Sequence, residues 1–438
     1  MTDLFAGTFA RGGAAAAVSG EAWVRALLEV EAALARAAAR HGLVPATAAD
    51  AVTAACADPS RLDLASVLAH AADAGNPVPP LVRALRAAVG ERDAVAVHVG
   101  ATSQDVLDTA LVLLARRALA VIDADLAAAA ERAAGLARAH RDDVVMGRTL
   151  LQHALPTTFG LTAAGWLAGL DGARARLHAV GASLPVQYGG AVGTLAASGG
   201  TGTAVRAALA GELGLRTTEA PWFTVRLPVA DLAGALGAAA GVVATVAVDV
   251  VLLAQTEVAE VAEVSETRGG SSTMPHKNNP VAAISARACA RRAPGLVATL
   301  FAAMEQEHSR AAGAWHSEWP TLTGLLTTVG SAASWLAESL ASLRVDTERM
   351  AATVAAATGP QLAQALTEAL TPSLGRDAAH EMVAIAIRTA RARKEPVADA
   401  FRSRTDVDID AVVRDAAPDV GEAGAQVDAV LAAHGVDR

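Results

Sequence analysis

The sequence predicts an all-α protein, on three observations. Hydrophobic residues make up 53% of the 438-residue chain but aromatics only 3%, so Ala, Leu and Val have to fill the interior. Ala and Leu are strong helix formers, and of the residues enriched in strands Ile, Phe, Trp and Tyr are scarce here. Apolar residues also recur at helical rather than alternating spacing over long stretches. At roughly 100–200 residues per domain, the length allows two to four domains.

Trp23, Leu27, Val30 and Leu34 line one face of a first long helix, with Arg25, Glu29 and Arg36 between them and Ser19 as N-cap. Gly75–Pro80 reads as a loop. Leu107, Leu111, Leu114, Ala118 and Val121 form the stripe of a second helix running to about His140. Gly189–Gly202 is a Gly-rich connection. From Leu232 to about Val264 the chain is apolar almost all round, which marks a helix surrounded by other helices. Gly269–Pro280 is a third loop, and a further helix is expected from Pro280 past Phe301. From about Val345 the chain is more charged and its helical patterns are shorter, as in a separate small domain. Long helices with small residues at their contacts describe an extended bundle.

Lys+Arg 36 against Asp+Glu 45 gives a formal charge of −9, the wrong balance for a nucleic-acid footprint. Cys56 and Cys289 are far apart, which excludes a disulfide scaffold and matches no zinc-ligand spacing. The N-terminus shows no basic region followed by an apolar run. Leu232–Val248, the longest uncharged stretch, falls short of the about 20 residues of a membrane span and is bounded by Asp231 and Asp249. A cytoplasmic protein is expected.

Residue usage locates the chemistry. The chain has two lysines, Lys277 and Lys394, and three asparagines, Asn76, Asn278 and Asn279. One Lys and two Asn stand together in Gly269-Gly270-Ser271-Ser272-Thr273-Met274-Pro275-His276-Lys277-Asn278-Asn279-Pro280. Lys is a compact cation suited to a carboxylate, and Ser in a mobile Gly-rich loop can close over a ligand and act as a base beside cations. An ordinary interhelical loop, with Asn279 as N-cap and Pro280 at the first helical position, accounts for those two residues and leaves Ser271, Ser272 and Lys277 unexplained.

Gly270–Asn279 resembles the signature loop of the fumarase/aspartase superfamily, Gly-Ser-Ser-x-Met-Pro-x-Lys-x-Asn, at every fixed position. The resemblance implies that Ser271 is the group exchanging a proton at carbon, and that Lys277 and Asn279 bind substrate carboxylates, with Ser272 and Met274 beside them. His98-Val99-Gly100-Ala101-Thr102-Ser103-Gln104-Asp105 is similar to the family's first conserved region, whose Thr-Ser pair binds a carboxylate; Thr102 or Ser103 can equally cap the helix that follows. Gly147–Pro156 is similar to the second region. Many members carry His directly after its Thr as general acid; here Leu150 stands there and His153 comes three residues later, either as the replacement acid or as an interior histidine.

Asn76 lies where adenylosuccinate lyases carry a catalytic histidine. Gln306–Pro320 resembles the branch of the superfamily that lactonises 3-carboxy-cis,cis-muconate, with Trp315 and Trp319 on one helix face; Phe223 stands where that branch is expected to have His. Glu307, His308, His316 and Glu318 fit no metal-ligand spacing. The resemblance implies a tricarboxylate substrate, bound by His98, Thr102, Ser103, Arg148, Thr149, Gln152, Lys277 and Arg310, with Ser271 and then His153 as proton donor and no cofactor or metal. The alternative is a β-eliminating lyase acting on a substituted succinate and releasing fumarate. A catalytically dead scaffold is disfavoured by the intact Ser271, Lys277 and Asn279. The implied architecture has three domains (1–100, 101–345 and 346–438) and a homotetramer with a 20-helix core, in which each active site draws on three subunits. Tyr188–Thr194 is then either near the site or a tight turn.

Overall fold

The computed structural model describes residues 4–270, 273–274, 277–356, 360–395, 397–401, 405–415 and 418–436. Helices dominate, and the described strands are short: β1 Val144–Thr149 pairs antiparallel with β2 Gln152–Thr158, and β3 Val261–Glu263 with β4 Leu343–Val345. The chain divides into two compact units, residues 1–128, 172–248 and 282–338 in one, and 129–171, 249–281 and 339–438 in the other.

Helix Gly20–Arg40 starts as the sequence predicts, with the Ser19 hydroxyl accepting the Ala22 N–H at 3.2 Å. Its buried side is almost wholly Ala, Leu and Val, and the exception is Glu31, which is fully buried. Helix Ser103–Ala139 matches the expected second helix, and Leu107, Leu111, Leu114 and Ala118 are all buried. Trp315 and Trp319 do share a face of helix Ala314–Ala341, their rings edge to face at 4.8 Å. In the second unit, Leu366, Leu370, Val383, Ala386 and Phe401 form a separate apolar cluster near the C-terminus.

Three expectations need correction. The apolar helix runs Leu227–Leu253, not to Val264. Ala259 takes a left-handed turn (φ 52°) and the chain then enters β3, whose buried Val261 and Glu263 alternate with exposed Ala262, so the apolar residues there follow a strand period. Because this helix has 27 residues and encloses both Asp231 and Asp249, it is long and apolar enough to cross a membrane, and the length argument against a span fails. Core helices of soluble proteins pass the same test, and Asp249 within it accepts the Trp166 indole N–H at 2.8 Å. Finally, the helix expected from Pro280 is two, Val281–Ala290 and Ala293–Ala302. Pro294 cannot donate an N–H to a continuing helix and opens the second one instead. Asn279 therefore is not the N-cap with Pro280 inside the helix.

Candidate active site

In the first unit the conserved-looking Thr-Ser pair lies at the start of helix Ser103–Ala139. The cap is supplied not by the hydroxyls but by Asp105, whose Oδ2 accepts the Thr102 N–H at 2.9 Å. The same carboxylate accepts Gly189 N–H at 2.8 Å and Gly190 N–H at 2.9 Å. Burial pushes Asp105 up to about 6, against the pull of those three donors. Gly100 (φ +63°) makes the turn ahead of the helix, where an added Cβ would sit 2.7 Å from the Tyr188 hydroxyl. That hydroxyl bonds the Val99 carbonyl at 3.1 Å. The stretch around Tyr188 thus packs directly on the turn that presents Thr102 and Ser103.

One helical turn on, Asp108, Arg226 and Glu318 form a fully buried ion cluster. Arg226 donates to Asp108 at 2.8 and 3.1 Å and to Glu318 at 2.6 and 3.0 Å. Trp315 Nε1 donates to Asp108 at 2.8 Å. The cluster supports Gln104, which donates to Asp108 at 3.1 Å and to the Phe223 carbonyl at 2.9 Å. Gln104 Oε1 in turn accepts Arg310 Nε at 3.1 Å, and the Arg310 guanidinium lies 5.3 Å from the Phe223 ring centre. Arg310 is therefore an aimed cation, held by Gln104 and the Phe223 ring, with Gln104 itself fixed by Asp108.

His98 completes this set. Its backbone is left-handed (φ 61°), its N–H donates to Glu31 Oε2 at 3.0 Å, and its Nδ1 bonds Glu31 Oε1 at 2.7 Å. Burial opposes charge on the ring, but the adjoining Glu31 carboxylate outweighs it and raises the His98 pKa.

In the second unit, β1 and β2 form a two-residue hairpin with Leu150 (φ 51°) and Leu151 (φ 63°) at its tip, a type I′ geometry normally given to Asn and Gly. Both leucines are exposed, Leu150 at 97%. Arg148 pairs across the hairpin with His153, and Thr149 with Gln152. His153 is exposed in this chain rather than packed in its interior. Both terminal nitrogens of Arg148 bond the buried Glu260 at 2.8 Å, so this arginine is spent on an internal ion pair. Arg148, Thr149 and His153 line a cavity of about 1290 Å³ together with Asp249 and Arg349.

Ser271 and Ser272 lie outside the described residues. The loop around them closes at its base: Asn279 donates through both its backbone and side-chain nitrogens to the Gly269 carbonyl at 2.9 Å, and Asn278 donates to the Glu263 carbonyl at 2.7 Å. Gly269 (φ +86°) is required there, because a Cβ would fall 2.2 Å from Asn278 Oδ1. Met274 and Lys277 are exposed on the loop.

The structure thus places His98, Thr102, Ser103 and Arg310 in the first unit, with His98 held by Glu31, Thr102 by Asp105 and Arg310 by Gln104. Arg148, Thr149, Gln152, His153, Met274, Lys277 and Asn279 belong to the second. The residues that sequence reasoning missed are the supports: Glu31, Asp108, Arg226, Glu260 and the left-handed hairpin tip. Glu31 had a signal, a lone acid on the apolar face of its helix; Arg226 and Glu318, 92 positions apart, had none.

A mainly helical fold with a Thr-Ser pair at the start of its longest helix and a Gly-Ser-Ser loop sequence is that of the fumarase/aspartase type. Residues 10–295 match the family described as "Lyase", and the chain belongs to that family within the fumarase/aspartase superfamily. It is 44% identical over 412 residues, 93% of this chain and 91% of the other, to a 3-carboxy-cis,cis-muconate cycloisomerase of Bradyrhizobium diazoefficiens. It is 43% identical over 407 residues, 90% and 85% of the two chains, to a nitrosuccinate lyase of Streptomyces davaonensis. The solved 3-carboxy-cis,cis-muconate lactonizing enzyme of Pseudomonas putida superposes with a TM-score of 0.90 at 38% identity, covering 99% of each chain.

Proposed function

We propose that the protein is a cycloisomerase converting 3-carboxy-cis,cis-muconate to 4-carboxymuconolactone, a step of protocatechuate breakdown. The observation that supports this most is the likeness to cycloisomerases along almost the whole chain in both sequence and fold. In the reaction one substrate carboxylate attacks a double bond while a proton reaches the adjacent carbon. Negative charge builds beside a carboxylate, and fixed donors around that carboxylate lower the barrier. On this reading Ser271 delivers the proton, with the exposed His153 second. His98, Thr102, Ser103, Arg310, Lys277 and Asn279 bind carboxylates, while Thr149, Gln152, Ser272 and Met274 shape the pocket. Arg148 acts through the hairpin that it ties to Glu260. The scheme uses no cofactor or metal.

The strained, exposed Leu150–Leu151 tip and the apolar helix Leu227–Leu253, of whose most apolar window 39% is buried within the chain, support a homotetramer with shared sites; a cytoplasmic location belongs to the same reading. The second reading, elimination from a substituted succinate, is favoured by the nitrosuccinate lyase relative. Proton NMR of products separates the two. Lactone from carboxymuconate supports the cycloisomerase; fumarate from nitrosuccinate, with carboxymuconate untouched, replaces it by the lyase.

A further inference from the structure

We propose that Glu31 is a positioning residue for substrate binding: it fixes the His98 ring through Nδ1 and so presents Nε2–H as the donor to a substrate carboxylate. Two geometric facts lead there. Both oxygens of a fully buried carboxylate are spent on one residue, the backbone N–H at 3.0 Å and the ring at 2.7 Å. His98 is also held in the left-handed region, φ 61°, a conformation costing about 1–3 kcal/mol in a non-glycine residue that persists only where the surroundings enforce it. An acid needed merely to fill the interior would not hold a strained histidine by both ends.

The chemistry follows from the tautomer. With Nδ1–H directed at Glu31, Nε2 carries a proton only when the ring is cationic. The side chain keeps 16% of its surface exposed, and with Nδ1 on Glu31 that opening is assigned to Nε2–H. The charged groups facing His98 come from three helices. Glu31 on Gly20–Arg40 and Asp105 on Ser103–Ala139 favour the cation, while Arg86 on Val78–Val89 opposes it. Cys56, beside Glu31, is neutral, its thiol pushed up to about 12 by burial. Glu31 is the only one of these bonded to the ring, so it sets both orientation and charge.

The inference rests on the reading of a polycarboxylate substrate, so its test avoids turnover. Binding of tricarballylate, an unreactive tricarboxylate, is measured by calorimetry from pH 6 to 9 for wild type, Glu31→Gln and His98→Gln. Wild-type affinity should fall as pH rises through the His98 titration. His98→Gln should bind at least about tenfold more weakly at pH 7, the loss of one charged hydrogen bond, with a flat profile. Glu31→Gln should show its break at lower pH and a similar loss at pH 7.5. A merely structural glutamate would lower the unfolding midpoint without moving the break. Equal affinity in Glu31→Gln and wild type overturns the proposal. Should Glu31→Gln fail to fold, unchanged binding by His98→Gln overturns it as well. Wild type that binds tricarballylate yet leaves carboxymuconate untouched would sink the cycloisomerase reading and not this one.

Discussion

Replacing Arg226 by Met removes the cation that pairs with two fully buried carboxylates, Asp108 and Glu318. The two are not equally exposed to the loss. Asp108 keeps hydrogen bonds from Trp315, Gln104 and Gln187, whereas among the described residues Glu318 keeps only Gln306 at 3.0 Å. Glu318 is therefore the group left uncompensated, and its pKa is already raised by burial even with Arg226 present. Breaking a buried pair in this way costs about 3–5 kcal/mol, which urea unfolding at pH 7.5 should show in Arg226→Met. The sign of the pH dependence is fixed. With the cation gone Glu318 binds its proton still more tightly folded than unfolded, so the deficit should shrink as pH falls towards 5. Arg226→Met/Glu318→Gln should recover more than half of the loss, because a neutral amide replaces the stranded charge. A single variant within about 1 kcal/mol of wild type, or a double variant worse than the single, would refute the electrostatic account of this cluster.

Four further outcomes are expected. Ser271→Ala should abolish turnover with the unfolding midpoint unchanged, and full activity would remove Ser271 from the reaction. Lys277→Ala should raise KM at least about tenfold while kcat stays within a few-fold, as for loss of a charged contact; unchanged kinetics would make it a surface lysine. Asp105, pushed up to about 6, binds its proton more tightly in the folded state. Its contribution to stability should therefore fall by about 3 kcal/mol as pH rises from about 4 to 6, a slope that Asp105→Asn should lack. Leu150→Asn/Leu151→Gly puts residues suited to φ > 0 at the hairpin tip and should raise stability by roughly 1–2 kcal/mol; a lower unfolding midpoint would contradict the strain.

How much of this was legible depended on whether the signal was local. Helix Ser103–Ala139 could be read because its buried Leu stripe repeats within the element itself. The Lys277–Asn279 cluster could be read because the chain uses those residue types almost nowhere else. Helix ends were misjudged where one apolar pattern served two periods, as at Val258, Val261 and Val264, or where Pro294 was passed over. The hairpin could not be foreseen from Leu150 and Leu151, since neither favours a left-handed turn. The supports of the site, Glu31 under His98, Glu260 under Arg148 and Arg226 between two acids, join residues separated by 67, 112 and up to 118 positions. Such pairings are decided by tertiary packing, and no local period announces them.

The central claim is tested most directly by mixing purified protein with 3-carboxy-cis,cis-muconate and following the absorbance of its conjugated diene, with Ser271→Ala as the blank. The account predicts rapid loss of the diene with wild type and none with the variant. A stable diene with wild-type protein, alongside fumarate release from nitrosuccinate, would contradict it.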